Sequence, residues 1–411
     1  MAEDIGCVGL RPDEDARGPE HAFRSCRGWR CRRGAGRREA SQRGGGNKMM
    51  KEKDRNKWLE LSLSESLIQS DLTALYRYKS DPFELMTLDK EELANIIGKK
   101  AFSLGRAVFD YGKELKAIEK GATRLVFLED EEYPALLKEI NDPPLFLRVM
   151  GEIPRPSERM IAVVGTRRAS AYGKRVCEYF SAAFCEMGFA VVSGLARGID
   201  TKAHETAIKS GGKTVAVIGA GPDVIYPPEN ERLARDIAEH GAVVSEYPMG
   251  TPPAKMNFPW RNRIISGMSC AVFVAEAPQR SGTLITASYA AEQGRDVWAA
   301  PGCIFENNYK GCHALIKDGA KLVECKEDIA GELSFEGFEQ TEKTSQVRVP
   351  EKPFSDEEEK IYAVIGWHPV SLDTIKREAA LDISKIFRVL TNLQINGFID
   401  NSAGGKFVRK K

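Results

Sequence analysis

The sequence predicts an α/β protein: a Rossmann-like, doubly wound parallel sheet, preceded by a small helical domain and followed by a winged-helix domain. Three observations carry this expectation. Residues 161–164, Ile-Ala-Val-Val, open a series of short β-branched apolar runs, the composition of strands buried on both faces. Single helical stretches separate those runs, which implies right-handed crossovers and an open parallel sheet covered on both sides. Residues 353–411 then read as three helices and a two-stranded wing.

The 411 residues are 42% hydrophobic and 29% charged, enough for two or three domains. No apolar run approaches the roughly 20 residues of a membrane span, and no apolar signal core opens the chain. A cytoplasmic protein without membrane contact is expected. The net charge of +1 neither requires nor excludes a nucleic-acid partner, which moves the question to individual loops. The nine cysteines are scattered, without a CxxC pair, so neither zinc nor a disulfide framework is expected, and no cofactor.

In chain order, residues 1–50 are rich in Arg and Gly, with no apolar period. They read as a disordered extension or a mis-assigned start, because Gly44-Gly45-Gly46-Asn47-Lys48 before Met49-Met50 is what a translated purine-rich ribosome-binding site would encode. Residues 51–122 form a helical (SAM/HhH-like) domain, with Leu72, Leu75, Tyr76, Leu93, Ile96 and Ile97 at helical spacing and Ser70, Asp71 and Asp89 as caps. Ile97-Gly98-Lys99-Lys100 is its one candidate for a DNA-gripping hairpin, and packing is the expected role. The core spans 123–332. Residues 123–128 read as a strand and 133–156 as a proline-rich bridge. Strands then fall at 161–164, 189–193, 214–218, 242–245, 271–275 and 296–299, with helices at 172–187, 199–209, 230–240 and 284–293. Residues 333–352 read as a linker and 353–411 as the winged-helix domain.

The strands place their following loops on one edge of the sheet, where such folds bind ligands. A dinucleotide site fails on detail. It needs three spaced glycines after the first strand and an acid about twenty residues later, but the first loop has only Gly165 and the second strand ends in Ser193-Gly194. Gly219-Ala220-Gly221-Pro222-Asp223-Val224 lacks the third glycine, and the phosphate-loop lysine with its hydroxyl is absent too. What remains suits a chain of phosphates. Thr166 and Arg167 follow the first strand, Arg197 and Gly198 precede a helix, and Ser281, Gly282 and Thr283 open another. The long loop from Glu246 adds Lys255, Phe258, Trp260, Arg261 and Arg263, cations interleaved with rings as in single-strand binding.

These motifs together, Gly165-Thr-Arg167, Ser193-Gly-Leu-Ala-Arg-Gly-Ile-Asp200 with Ala203-His204, Tyr226-Pro227, Ser245-Glu246, Phe258-Pro-Trp-Arg-Asn-Arg-Ile-Ile265, Ser281-Gly-Thr-Leu-Ile-Thr-Ala287 and Pro301-Gly302, resemble the bacterial DprA/Smf family over residues 160–324. The resemblance implies a non-enzymatic protein that binds and protects single-stranded DNA during natural transformation and helps load the RecA recombinase, usually as a homodimer. By motif it carries over Arg167 as a pocket arginine, with Thr166 in place of a serine, and Lys255 and Phe258 as lysine and stacking aromatic. Gly165, Ser193, Gly194, Arg197, Gly198, Ser281, Gly282 and Thr283 fall in its anion-holding loops.

Plainer roles stand beside these. Arg261 and Arg263 are either phosphate contacts or structural partners of Glu246 or Glu276. Trp260 stacks a base or packs its loop. His204 is expected to be structural, and Cys270, Cys303 and Cys312 to pack. Two other functions remain open: a phosphoribohydrolase-like nucleotide enzyme, against which Thr286 stands where a catalytic acid belongs, and a winged-helix DNA-binding regulator. The third winged-domain helix offers only Lys385 and Arg388, few for a major-groove reader.

Overall fold

The computed structural model describes residues 50–64, 67–98, 109–155, 157–333, 354–366, 369–402 and 405–409. The extension up to residue 49, Lys99 and Lys100 of the hairpin candidate, and the linker at 334–352 lie outside the described residues. The described chain divides into two compact units. One comprises residues up to 169 and 176–328, the other 170–175 and 329 onward.

The first unit begins with five helices: α1 (Glu52–Ser62), α2 (Gln69–Tyr78), α3 (Pro82–Leu85), α4 (Lys90–Ile97) and α5 (Tyr111–Glu119). Asp89 caps α4 as expected, accepting from the N–H groups of Glu91 and Glu92, while Glu92 returns to the Asp89 N–H. Ser70 and Asp71 lie inside α2 rather than before it. Asp71 works from the first turn, accepting the Ile68 N–H at 2.9 Å. Trp58, Leu59, Leu72, Leu75 and Leu93 form an apolar cluster that also takes in Phe127, Leu145 and Phe146, so the helices share a core with the sheet edge.

The sheet follows as β1 (Arg124–Phe127), α6 (Ala135–Lys138), β2 (Phe146–Gly151), β3 (Met160–Gly165), α7 (Ala171–Glu186), β4 (Ala190–Ser193), α8 (Ile199–Lys209), β5 (Thr214–Ile218), α9 (Glu231–His240), β6 (Gly241–Ser245), α10 (Asn257–Gly267), β7 (Ala271–Glu276), α11 (Gly282–Glu292), β8 (Asp296–Ala299), α12 (Lys310–Lys317), β9 (Lys321–Leu322) and α13 (Lys326–Leu333). Its strand order is β1-β2-β6-β5-β4-β3-β7-β8-β9. From β6 to β9 every pairing is parallel; β2 runs antiparallel to both β1 and β6. The strand order reverses at β3, whose successor β4 lies on one side and β7 on the other. A crevice opens at such a switch point, beyond the strands' carboxyl ends.

Two elements depart from expectation. The proline-rich bridge contains β2, whose apolar run is interrupted by the fully buried Arg148. The long loop after β6 closes into α10. Pro259 there falls in the first helical turn, where its missing N–H leaves no intrahelical bond unmade.

In the second unit, α14 (Asp356–Val364), β10 (Val370–Ser371), α15 (Leu372–Ala379), α16 (Ile383–Ile395), β11 (Ile399–Ser402) and β12 (Lys406–Arg409) make a winged helix whose sheet has order β10-β12-β11. Ile361, Ile375, Ile386, Val389, Leu390 and Leu393 form its core. Gly397, at φ 71°, ends α16 in the left-handed conformation that glycine adopts without strain.

Candidate nucleic-acid interface

A cleft of about 750 Å3 lies at the switch point, walled by the loops after β3 and β7, the segment leading into α10, and the start of α11. Its base is set by close backbone packing. Thr166 donates its N–H to the Glu276 carbonyl at 2.8 Å, tying the β3 loop to the end of β7. A Cβ at Gly165 would strike Ile199, and one at Gly198, where φ is 82°, would strike the carbonyls of Thr166 and Arg167. Only glycine at both positions lets α8 approach this closely. The Thr166 hydroxyl accepts the Arg168 N–H at 3.2 Å and so shapes the turn that presents Arg167.

Phe258 lines the cleft. Its half-buried ring lies 5.4 Å from the Arg167 guanidinium, 6.0 Å from that of Arg261 and 5.7 Å from the Tyr226 ring. Arg167, Arg168, Lys255 and Arg280 are exposed around it, and among the described residues none of the four is held in a salt bridge. Ser281 caps α11 by accepting the Thr283 N–H and donates its hydroxyl to Thr283 Oγ1, placing Ser281, Gly282 and Thr283 on the cleft wall at a helix N-terminus. Free cations, a stacking face and a positive helix end thus converge on one groove.

Several expected contacts are placed elsewhere. Arg263 is 2% exposed and forms a two-pronged ion pair with Glu246, 2.7 and 2.8 Å, while stacking on Trp260 at 4.5 Å. It is therefore a structural residue of the α10 base and not a phosphate contact, and Trp260 serves as its packing partner. Arg261 lines the cleft but is 4% exposed, donating to the Val217 carbonyl and to Asn262 Oδ1. Burial pushes its pKa down to about 10, opposed by the nearby Asp200 carboxylate. Its charge lies under Phe258 rather than at the surface. Ser193 is buried, its hydroxyl donating to the Val163 carbonyl, and the buried Gly194 N–H donates to Asp200. Both are framework. Arg197 is exposed but paired with Glu229, beside a smaller recess that it shares with Tyr226 and Phe258.

Sequence reasoning left Tyr226, Arg280 and Asp200 out of the cleft. All three lie beside or inside the quoted motifs, and that adjacency is the one signal the sequence offers. Asp200 is buried at the cleft base, where loss of water raises its pKa to about 6 against the pull of Arg261 and the N–H groups of Ala196 and Gly194. His204 is buried and bonded through Nδ1 to the Thr214 hydroxyl at 2.7 Å; burial pushes its pKa down to about 3, so it is a neutral structural residue. Cys312 is buried, and burial raises its thiol to about 12, consistent with packing. Among the described residues no cluster of metal-binding side chains occurs, and no helix is long and apolar enough to cross a membrane.

The model of a family described as DNA recombination-mediator protein A matches residues 124–334, and one described as the DprA winged helix domain matches 347–405. The chain is 34% identical over 357 residues to Protein Smf of Escherichia coli, covering 85% of this chain and 94% of that protein. It is 47% identical over 206 residues to the DNA processing protein DprA of Streptococcus pneumoniae, 50% of this chain and 73% of the relative. The X-ray structure of DNA processing protein A from Streptococcus pneumoniae superposes with a TM-score of 0.57 at 35% identity, covering 69% of this chain and 98% of that one. The cleft at the switch point and the winged helix are thus those of a protein that belongs to the DprA/Smf family of DNA-processing proteins.

Proposed function

We propose that this chain binds single-stranded DNA in the switch-point cleft, protects it, and helps load the RecA recombinase during natural transformation, acting as a homodimer in the cytoplasm without catalysing a reaction. The observation that carries the reading is the half-buried Phe258 ring, 5.4 Å from the Arg167 guanidinium, in one cleft with Lys255 and Arg280, none of the three cations held in a salt bridge among the described residues. A ring stacks most readily on an unpaired base, and several cations in the same cleft suit a backbone rather than a single phosphate. The nucleotide-enzyme alternative lacks its acid, because Thr286 occupies that position and is buried.

The test is a gel shift of a 20-nucleotide oligothymidine, the matching duplex, and mononucleotide competitors at two salt concentrations. The single strand binds most tightly, with log K falling by about 0.7 per log unit of salt for each phosphate neutralised. Tighter binding of a mononucleotide would overturn the reading. RecA loading is tested separately, by RecA filament formation on oligothymidine coated with single-strand-binding protein, with and without this chain.

A further inference from the structure

We propose that the helical module is a positioning element for the cleft, and that Lys113 and Glu114 of α5, with Asp223, fix the segment that delivers Lys255 and Phe258. The inference rests on the single-strand reading of that cleft. The segment leaves β6 at Glu246 and reaches α10 at Asn257, and its backbone would otherwise satisfy itself in water. Instead Glu114 accepts the Met249 N–H at 2.8 Å. Asp223 accepts the Gly250 N–H at 2.7 Å through one oxygen and the Lys113 ammonium at 2.6 Å through the other. Glu114 therefore holds the Met249 amide directly, and its neighbour Lys113 holds the Gly250 amide through Asp223.

The start of the segment is held from the same side. Arg148 and Glu114, both 0% exposed, form an ion pair at 3.0 Å, and Arg148 also donates to the Glu246 carbonyl and to Ser62 of α1. Gln69 of α2 reaches the same carbonyl at 3.4 Å. A buried ion pair is weak evidence for stability, because desolvation offsets its attraction; its clearer use is to specify one arrangement. Here the arrangement specified is the path of the loop. Beyond Thr251 the chain continues through Pro252 and Pro253, whose fixed φ angles make a stiff lever, and the turn from Ala254 to Asn257 enters α10 one residue before Phe258. Displacement at Met249 and Gly250 is thereby passed to Lys255.

Asp223 lies outside the cleft wall, which gives a test whose sign is informative. Removing a carboxylate near a phosphate-binding surface strengthens binding if charge alone matters. The positioning role gives the opposite: in the full-length chain, Asp223→Ala weakens binding of a fluorescein-labelled 20-nucleotide oligothymidine by about 3- to 10-fold, and the loss shrinks below about 2-fold in a Lys255→Ala background. Amide hydrogen exchange across residues 247–256 accelerates at the same time. Lys113→Met, at a half-exposed side chain, serves as the second variant and shows the same coupling to Lys255 should Asp223→Ala not fold. Unchanged or tighter binding by Asp223→Ala, or an equal loss in both backgrounds, overturns the proposal. If Lys255→Ala alone leaves affinity unchanged, the cleft reading falls and this inference with it; if Lys255→Ala weakens binding and Asp223→Ala does not, only the positioning role falls.

Discussion

The Arg167 guanidinium carbon lies 5.4 Å from the centroid of the Phe258 ring, joining the turn after the first parallel strand to the first turn of α10. The pair offers a strand both of its recognisable parts, a phosphate and a base face. Phe258→Ala removes the stacking surface and is expected to weaken oligothymidine binding by about 1–3 kcal/mol, with a salt slope like that of the wild type. Fluorescence anisotropy at three salt concentrations measures both quantities.

Cations act through the slope instead. Arg167 and Lys255 are both exposed on the cleft, and among the described residues neither is neutralised by a carboxylate. The double variant Arg167→Ala/Lys255→Ala is expected to bind every single-stranded sequence more weakly and to flatten the salt slope by about 1.4, two phosphates at about 0.7 each. An unchanged slope assigns the backbone contacts to other residues.

Arg263 is expected to fail differently, since it touches Glu246 and Trp260 rather than the groove. Arg263→Met leaves Glu246 buried without its counter-charge and destabilises the fold by about 3–5 kcal/mol. The double variant Glu246→Leu/Arg263→Met removes both charges and recovers most of that loss. Urea unfolding of the three proteins gives the comparison.

The same contrast explains what the sequence made legible. Strands β3 to β8 were readable because burial on both faces leaves near-continuous β-branched runs, and Arg167, Lys255 and Phe258 were readable because each stands in a motif of fixed spacing. The partners of buried charges were not. Arg148 looks like a break in an apolar run, and its justification is Glu114, 34 residues earlier on a helix. Glu246 lies 17 residues before Arg263 across an irregular loop, and Asp223 sits in a turn that local reading could only reject as a dinucleotide fingerprint. The start of α10 was read as part of the long loop after Glu246, because nothing local marks the helix whose first turn takes in Pro259.

Asp200 makes the fold sensitive to pH. Burial raises its carboxyl from 3.8 to about 6, so the native state holds the proton more tightly than the unfolded chain between those values. The stability from this group is fully present below about pH 4 and lost as pH rises through about 6. His204 acts in the opposite sense: held down to about 3 from 6.5, it contributes stability that is present above 6.5 and lost as pH falls. The two partly cancel in the wild type, and an Asp200→Asn variant separates them. The stability difference, wild type minus variant, is expected to fall by about 2–3 kcal/mol between pH 4 and pH 7. Urea unfolding at four pH values tests this, and a flat difference places the titration elsewhere.

The winged helix is expected to add little to strand binding. A helix that reads a major groove presents free cations and amides to base edges. On α16 both Lys385 and Arg388 are drawn to Glu357, at 2.8 and 2.9 Å, while Ile383 and Phe387, four residues apart, stay exposed. Exposed pairs of this kind are worth little individually, but they compete with phosphate for the only two cations that the helix offers near its start. Removing residues 347–411 should therefore leave oligothymidine affinity within about 2-fold of the full chain and abolish no duplex binding, because none is expected from this helix. Glu357→Ala adds the complementary arm: with both cations released, duplex affinity rises in low salt and returns to the starting value as salt is added. Loss of single-strand binding on truncation would instead make the winged helix part of the strand's path.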